Sequence, residues 1–159
     1  MKVLIIYCSD YNSNTEKIAR IFADKTDGKL VNIRDVNDIT LENYNLIGFG
    51  SGVYRESLSP KVLRLADKLN LRDKNVFVFS TSGVGMKFYN NSLIKLLESK
   101  GAINKGSFAC KGSFVAKEFT NKKIFDIMGR LSQGHPNDED FKKAEKFIIR
   151  IVNSLKVCK

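Results

Sequence analysis

The sequence predicts an α/β domain: a doubly wound, five-stranded parallel sheet with helices on both faces. Three observations lead there. Short apolar runs such as Val3-Leu4-Ile5-Ile6-Tyr7 are continuous rather than alternating, which is how strands buried on both faces read. Stretches with apolar residues at helical spacing lie between those runs, and alternation of the two kinds implies βαβ units with right-handed crossovers. The length, 159 residues, is that of one domain, and no composition shift, repeat or low-complexity stretch divides it, so a single domain over 1–159 is expected.

The elements follow in order. Lys2–Cys8 is the first strand. Ser9–Asn14 is polar and turn-like, and Thr15 to about Lys25 repeats Ile18, Ile21 and Phe22 at helical spacing. Ser13 and Glu16 fit a capping box at that helix start. Leu30–Ile33 and Leu46–Gly50 are further strands. Ser59-Pro60 opens a helix with Pro in its first turn, and Val62, Leu65, Ala66 and Leu69 give it an apolar face. Val76–Phe79 is the fourth strand. A helix over about Asn91–Lys100 stops at Gly101. Gly106–Phe114 is a fifth strand with more polar interruptions. Asn137 caps a last helix whose stripe is Phe141, Ala144, Ile148, Ile151 and Leu155. The connection Val115–Pro136 is long, and Ile124, Phe125, Ile127, Met128 and Leu131 suit a short helix within it.

Composition excludes several classes. No apolar run approaches the ~18 residues that span a bilayer, and no signal-peptide pattern is present, so a cytoplasmic protein without a membrane span is expected. The three cysteines, Cys8, Cys110 and Cys158, form no CxxC and suggest neither a disulfide framework nor a metal site. The net charge is +10, from 27 Lys and Arg against 17 Asp and Glu. The cations are spread in ones and twos, Lys122-Lys123 and Lys142-Lys143 being the densest pairs, with no interleaved stacking aromatics. Solvated helix faces account for that better than a nucleic-acid footprint, and no nucleic-acid partner is expected. The charge remains a steering field for an acidic partner.

In an open α/β sheet ligands bind beyond the carboxyl ends of the strands. Three loops emerge there. Ser9-Asp10-Tyr11-Asn12-Ser13-Asn14-Thr15 is dense in hydroxyls and amides and runs into a helix N-terminus, whose unpaired N–H groups suit a phosphate. It contains no Lys or Arg, so the anion would be held by dipoles and hydroxyls. Gly50-Ser51-Gly52-Val53-Tyr54 has two glycines that would allow close backbone approach or φ > 0. Ser80-Thr81-Ser82-Gly83-Val84-Gly85 is followed by Phe88-Tyr89. Each alone would pass as capping or a tight turn. Together they describe a slot for a flat, phosphorylated ring system. The lone His135 has no evident nucleophile, and Asp10 reads as a solvent-facing turn former, so no catalytic residue is singled out.

These residues resemble the flavodoxin family. Tyr11-Asn12-Ser13-Asn14-Thr15 stands where the family has T/S-x-T-G-N-T, with Ser13 in place of the usual Gly and a loop one residue longer. Gly48–Tyr54, Phe79–Gly85 and Gly134-His135-Pro136-Asn137 are similar to one prokaryotic branch. The resemblance implies strand order 2-1-3-4-5, FMN as cofactor, and electron transfer between redox partner proteins. It places Ser9, Tyr11, Asn12, Ser13, Asn14 and Thr15 around the FMN phosphate. Ser51, Gly52, Val53 and Tyr54 would lie along the flavin, with Gly52 permitting a backbone reorientation that tunes it. Thr81, Ser82, Gly83 and Tyr89 would lie on the other side, Tyr54 and Tyr89 flanking the ring. An electron carrier, monomeric or weakly dimeric, is preferred to the alternative of an FMN-dependent oxidoreductase of quinone reductase or protoporphyrinogen oxidase type. A module that has lost FMN is a third reading. A phosphorelay receiver domain is disfavoured, because the third strand ends in Gly50-Ser51-Gly52 without a carboxylate. Carriers of this family are usually acidic, so +10 is the largest departure and points to acidic partners.

Overall fold

The computed structural model describes residues 1–10, 12–36, 40–114 and 123–157. Six strands and five helices follow in order: β1 (Val3–Cys8), α1 (Asn14–Thr26), β2 (Lys29–Asn32), β3 (Leu46–Tyr54), β4 (Ser57–Leu58), α2 (Pro60–Lys68), β5 (Asn75–Ser82), α3 (Asn91–Ser99), β6 (Ile103–Lys111), α4 (Lys123–Ser132) and α5 (Asp138–Val157). The sheet order is β2-β1-β3-β5-β6, all parallel, with β4 paired antiparallel to β3. The expected five-stranded order holds, and β4 adds a sixth strand that a two-residue run could not announce. Because the five are parallel, Cys8, the end of β3, Ser82 and Lys111 all lie at one sheet edge.

Strand alternation sends the two halves of each strand to different cores. Val3, Ile5 and Tyr7 pack with Ile18 and Phe22 of α1 and Phe147, Ile148 and Ile151 of α5. Leu4, Ile6 and Cys8 pack with Val62 and Ala66 of α2 and Leu93 and Leu97 of α3. The first core is aromatic: Phe22 meets Phe77, Phe79 and Phe108 edge-on, with centroids 5.0–5.8 Å apart. This packing explains the glycines of β3. A Cβ on Gly48 would enter the Phe77 ring, and one on Gly50 the Phe79 ring. Gly50 therefore serves the core and not a ligand, which corrects the reading of that glycine from sequence.

Other boundaries move for local reasons. β3 and β5 run several residues further than the apolar runs, because Ser51↔Ser80 and Gly52↔Thr81 continue the ladder into the polar tips. β6 begins at Ile103 and ends at Lys111, earlier than expected at both ends, with a register shift opposite Val76/Val78 near Gly106, whose φ is 134°. The expected capping box at α1 is absent: Ser13 is left-handed (φ 49°), makes no side-chain cap, and Glu16 pairs with Arg20 instead. A reciprocal box forms at α5, where Asn137 Oδ1 accepts from the Glu139 and Asp140 N–H groups and Asp140 Oδ2 accepts from the Asn137 N–H. A helix does lie in the long connection, and Ile127 and Leu131 on it are exposed. Residues 115–122 and Cys158 lie outside the described residues. Among the described residues no helix is long and apolar enough to cross a membrane.

Candidate cofactor site at the carboxyl edge of the sheet

The first loop, between β1 and α1, organises the edge. Asn12 and Ser13 both have left-handed backbones (φ 48° and 49°). Such a conformation costs a residue with a Cβ about 1–2 kcal/mol. Ser13 thus occupies a left-handed position, the conformation for which glycine is suited, and accepts that strain. Non-glycine strain of this kind concentrates at functional sites. Ser13 C=O accepts from the Lys17 N–H (3.0 Å), so the N–H groups of Asn14, Thr15 and Glu16 lack an intrahelical acceptor.

Every neighbouring segment ties into this loop. Thr15 Oγ1 and Thr81 Oγ1 are 2.8 Å apart and buried, which joins the first loop to the tip of β5. The Tyr54 hydroxyl accepts from the Asp10 N–H at 3.0 Å, which joins it to the second loop. The carboxamides of Asn12 and Asn14 both donate to the Ser113 carbonyl, at 3.2 and 2.8 Å, which joins it to the segment after β6. Gly112 permits this last approach, since a Cβ there would lie 2.8 Å from Asn14 Nδ2.

Asp10 does not simply face solvent. Its carboxylate pairs with Arg34 (3.0 Å) and Lys61 (3.0 Å), and the Cys8 thiol faces it at 3.6 Å. Partial burial alone would raise the Asp10 carboxyl. The hydrogen bond and charge of Lys61, with Arg34 behind them, outweigh that and hold it below the ordinary range. The loop without a cation of its own thus has two beside it, brought from the end of β2 and the start of α2. Cys8 is pushed above the usual thiol range, chiefly by burial.

The second loop is a hairpin. β3 and β4 pair Val53↔Leu58 and Tyr54↔Ser57 around Arg55 and Glu56, both at positive φ (49° and 65°). Gly52 is not at positive φ; it lies in the β3–β5 ladder, and a Cβ there would sit 2.7 Å from the Tyr54 hydroxyl. The positive-φ expectation for Gly52 is corrected accordingly: the left-handed residues of this loop are Arg55 and Glu56. Tyr54 folds over Gly52, half-buried, its hydroxyl pushed above the usual phenol range mainly by burial. Ser51 is buried, donating to the Gly52 carbonyl (2.6 Å) and accepting from the Ser59 N–H (2.9 Å). Val53 packs against the second core.

The third loop turns tightly against β6. Ser82 Oγ accepts from the Gly85 N–H (2.8 Å), and the Ser82 carbonyl accepts from the Gly112 N–H (2.9 Å). A Cβ on Gly83 would enter the Phe114 ring. Tyr89 packs against the second core and against Phe88, centroids 4.0 Å apart, while Phe88 is the more exposed ring at 55%.

Of the residues expected at the site, Ser9, Asn12, Ser13, Asn14, Thr15, Tyr54, Thr81, Ser82 and Gly83 are brought together around the first loop. Ser51 and Val53 turn into the fold, and Tyr89 stands with its ring on the second core. Tyr11 lies outside the described residues. Sequence reasoning missed Ser113, Phe114, Arg34 and Lys61. Gly112-Ser113 offered a faint signal, a small-residue turn at a strand end; the two cations offered none.

Two buried polar atoms here have no partner among the described residues: Ser9 Oγ and Asn14 Oδ1. One can donate and the other accepts. With the free N–H groups of α1 they suit a ligand carrying both an anionic phosphoryl group and hydroxyls. A doubly wound sheet with a strained, hydroxyl-lined loop feeding a helix N-terminus is an arrangement suited to phosphorylated ligands. The flavodoxin domain model matches residues 4–154, and the chain belongs to that family. An uncharacterised protein of Methanocaldococcus jannaschii is 38% identical over 156 residues, covering 97% of this chain and 100% of that one. A flavodoxin from the domain Archaea superposes with TM-score 0.70 at 13% identity, over 98% of this chain and 99% of that one. A flavoprotein of Lactobacillus acidophilus, solved in complex with FMN, gives 0.56 at 21% identity over 67% and 91%. At these identities the two structures show a shared fold.

Proposed function

We propose that this chain binds FMN and shuttles electrons between redox partner proteins. The observation that carries the reading is the pair of buried atoms without a partner among the described residues, Ser9 Oγ and Asn14 Oδ1, in a loop already strained at Asn12 and Ser13. Family membership and the FMN complex of the Lactobacillus acidophilus relative by fold support the identity of the ligand. When bound, FMN supplies the electron-accepting chemistry, and the protein contributes binding, orientation and electrostatics.

In this reading Ser9 donates to a phosphoryl oxygen, and the N–H groups of Asn14, Thr15 and Glu16 add the positive end of the α1 dipole. Arg34 and Lys61 neutralise Asp10, so that its carboxylate does not repel the phosphate. Asn14 Oδ1 accepts from a hydroxyl of the ligand. Tyr54 borders the ring on one side, and Thr81, Ser82 and Gly83 supply the backbone on the other. Phe88, with Tyr89 behind it, provides the exposed aromatic edge. The +10 charge favours an acidic partner, with encounter slowed as salt shortens the Debye length from ~10 Å at 0.1 M to ~3 Å at 1 M.

The test is titration of the cofactor-stripped protein with FMN and with riboflavin, which lacks the phosphate. FMN should bind at least about tenfold more tightly, the equivalent of ~1.4 kcal/mol. Equal affinities, or none for FMN, overturn the placement. The carrier role is tested by potentiometry of the reconstituted protein: two separated one-electron steps are expected, and a single two-electron step overturns it.

A further inference from the structure

The geometry points to the turn Gly134-His135-Pro136-Asn137, with Asp140, as a strut that positions the first loop through Ser113, so that His135 and Asp140 are positioning residues for the cofactor cradle. Its FMN consequence rests on the function proposed above; its structural core does not.

The chain of contacts is continuous. Asp140 is 8% exposed, and its Oδ2 receives both His135 Nδ1 (2.5 Å) and the Asn137 N–H (3.1 Å). These two bonds lock the turn onto the first turn of α5, and Asn137 Oδ1 caps the helix by accepting from the Asp140 N–H (3.1 Å). The middle of α5 is anchored in the first core by Phe147, Ile148 and Ile151. The turn thus inherits the rigidity of a 20-residue helix. From it, the His135 carbonyl accepts from the Ser113 N–H (2.8 Å). The Ser113 carbonyl then accepts from the carboxamides of both Asn12 and Asn14. One residue, Ser113, therefore transmits the position of the turn to the loop through its N–H and its carbonyl.

What is held matters. Asn12 is in a strained left-handed conformation, and Asn14 is 7% exposed, its Oδ1 without a partner among the described residues. Donation of Nδ2 to Ser113 orients that carboxamide and so aims Oδ1. Helix capping alone would need Asn137 and Asp140 but not His135, and it would not need Ser113. The imidazole adds a second bond to a carboxylate already engaged, and this bond fixes the residue whose carbonyl carries the strut.

Four variants separate positioning from capping. His135→Ala removes the imidazole bond that fixes the residue carrying the strut and leaves the capping box whole; Asp140→Ala removes both. His135→Asn keeps an N–H near the Nδ1 position. Asn137→Ala removes the cap alone. The first readout is the side-chain carboxamide NMR signals of Asn12 and Asn14 and the amide exchange of Ser113, measured without cofactor. His135→Ala and Asp140→Ala should shift both carboxamides and speed Ser113 exchange by about tenfold or more, with exchange in β1 unchanged. His135→Asn should restore the wild-type signals, and Asn137→Ala should leave them in place. The second readout is affinity: His135→Ala should weaken FMN about tenfold and leave riboflavin unaffected. Unmoved carboxamides in His135→Ala overturn the strut, whatever the behaviour of Asp140→Ala. A shift of equal size in Asn137→Ala also overturns it, since capping would then suffice. Responsive carboxamides in a protein that binds no FMN would uphold the strut and refute the cofactor reading.

Discussion

The hydroxyl pair Thr15–Thr81 links the phosphate-type loop to the strand tip across the sheet, and its removal gives a sharp prediction. The two Oγ1 atoms are 2.8 Å apart, and the residues are 1% and 5% exposed. Thr15→Val keeps the shape and the β-branching but leaves the Thr81 hydroxyl buried without its partner. An orphaned buried polar group costs about 1–3 kcal/mol, whereas replacing both partners by apolar groups of like shape is nearly neutral. Each single valine variant should therefore lower stability by about 1–3 kcal/mol, and the double variant by much less than the sum. At about 2–4 °C per kcal/mol for a chain of this size, the single variants should melt roughly 2–12 °C lower. Urea unfolding of the four proteins, followed by circular dichroism, closes the cycle. Losses that simply add would refute the pairing. FMN titration of the same set divides the roles further. If Thr15 Oγ1 also reaches the phosphate, Thr15→Val should weaken FMN by about 1.5–3 kcal/mol, roughly ten- to a hundredfold, and Thr81→Val by less.

Three further outcomes are expected. Tyr54→Phe removes the acceptor of the Asp10 N–H; it should cost about 0.5–1.5 kcal/mol and speed exchange of that amide, and unchanged exchange would show the bond is not formed in solution. Gly85→Ala should destabilise by more than the ~1–2 kcal/mol of a left-handed backbone alone, because φ is 68° and the new Cβ would lie 2.9 Å from Cys110 C and Lys111 N; a melting point within about a degree of wild type would refute this. Cys8 and Cys110 are both pushed up by burial, Cys110 strongly, so the reactive thiolate is scarce until the pH climbs well above the ~8.5 of a free thiol. Iodoacetamide at pH 8 should leave both unmodified in the native protein, read by peptide mass spectrometry, and modification ahead of unfolding would refute their burial.

The alternation of continuous apolar runs with helical-period stretches was enough to read the class of fold, because burial on both faces of a parallel sheet admits no polar alternation within a strand. The first loop is legible as a polar turn feeding a helix for a similar reason, since Ser9 to Thr15 leads directly into α1 along the chain. What escaped were contacts between segments far apart in the chain. Gly50 read as a ligand-approach residue, although its hydrogen atom faces the Phe79 ring on the neighbouring strand. Asp10 read as a lone acid, since Arg34 and Lys61 stand 24 and 51 residues away. Ser113, on which the cradle leans, is 99 residues from Asn14, and no periodicity or spacing records such a pairing. Even the capping box lies at Asn137–Asp140 and not at Ser13–Glu16, for Ser13 has a left-handed backbone and makes no side-chain cap. Sequence determines what each segment will bury and where its backbone needs a partner. Which partner it meets is decided only when the parallel crossovers bring the strand ends to one edge, since the hydrogen bonds there close loops of up to a hundred residues.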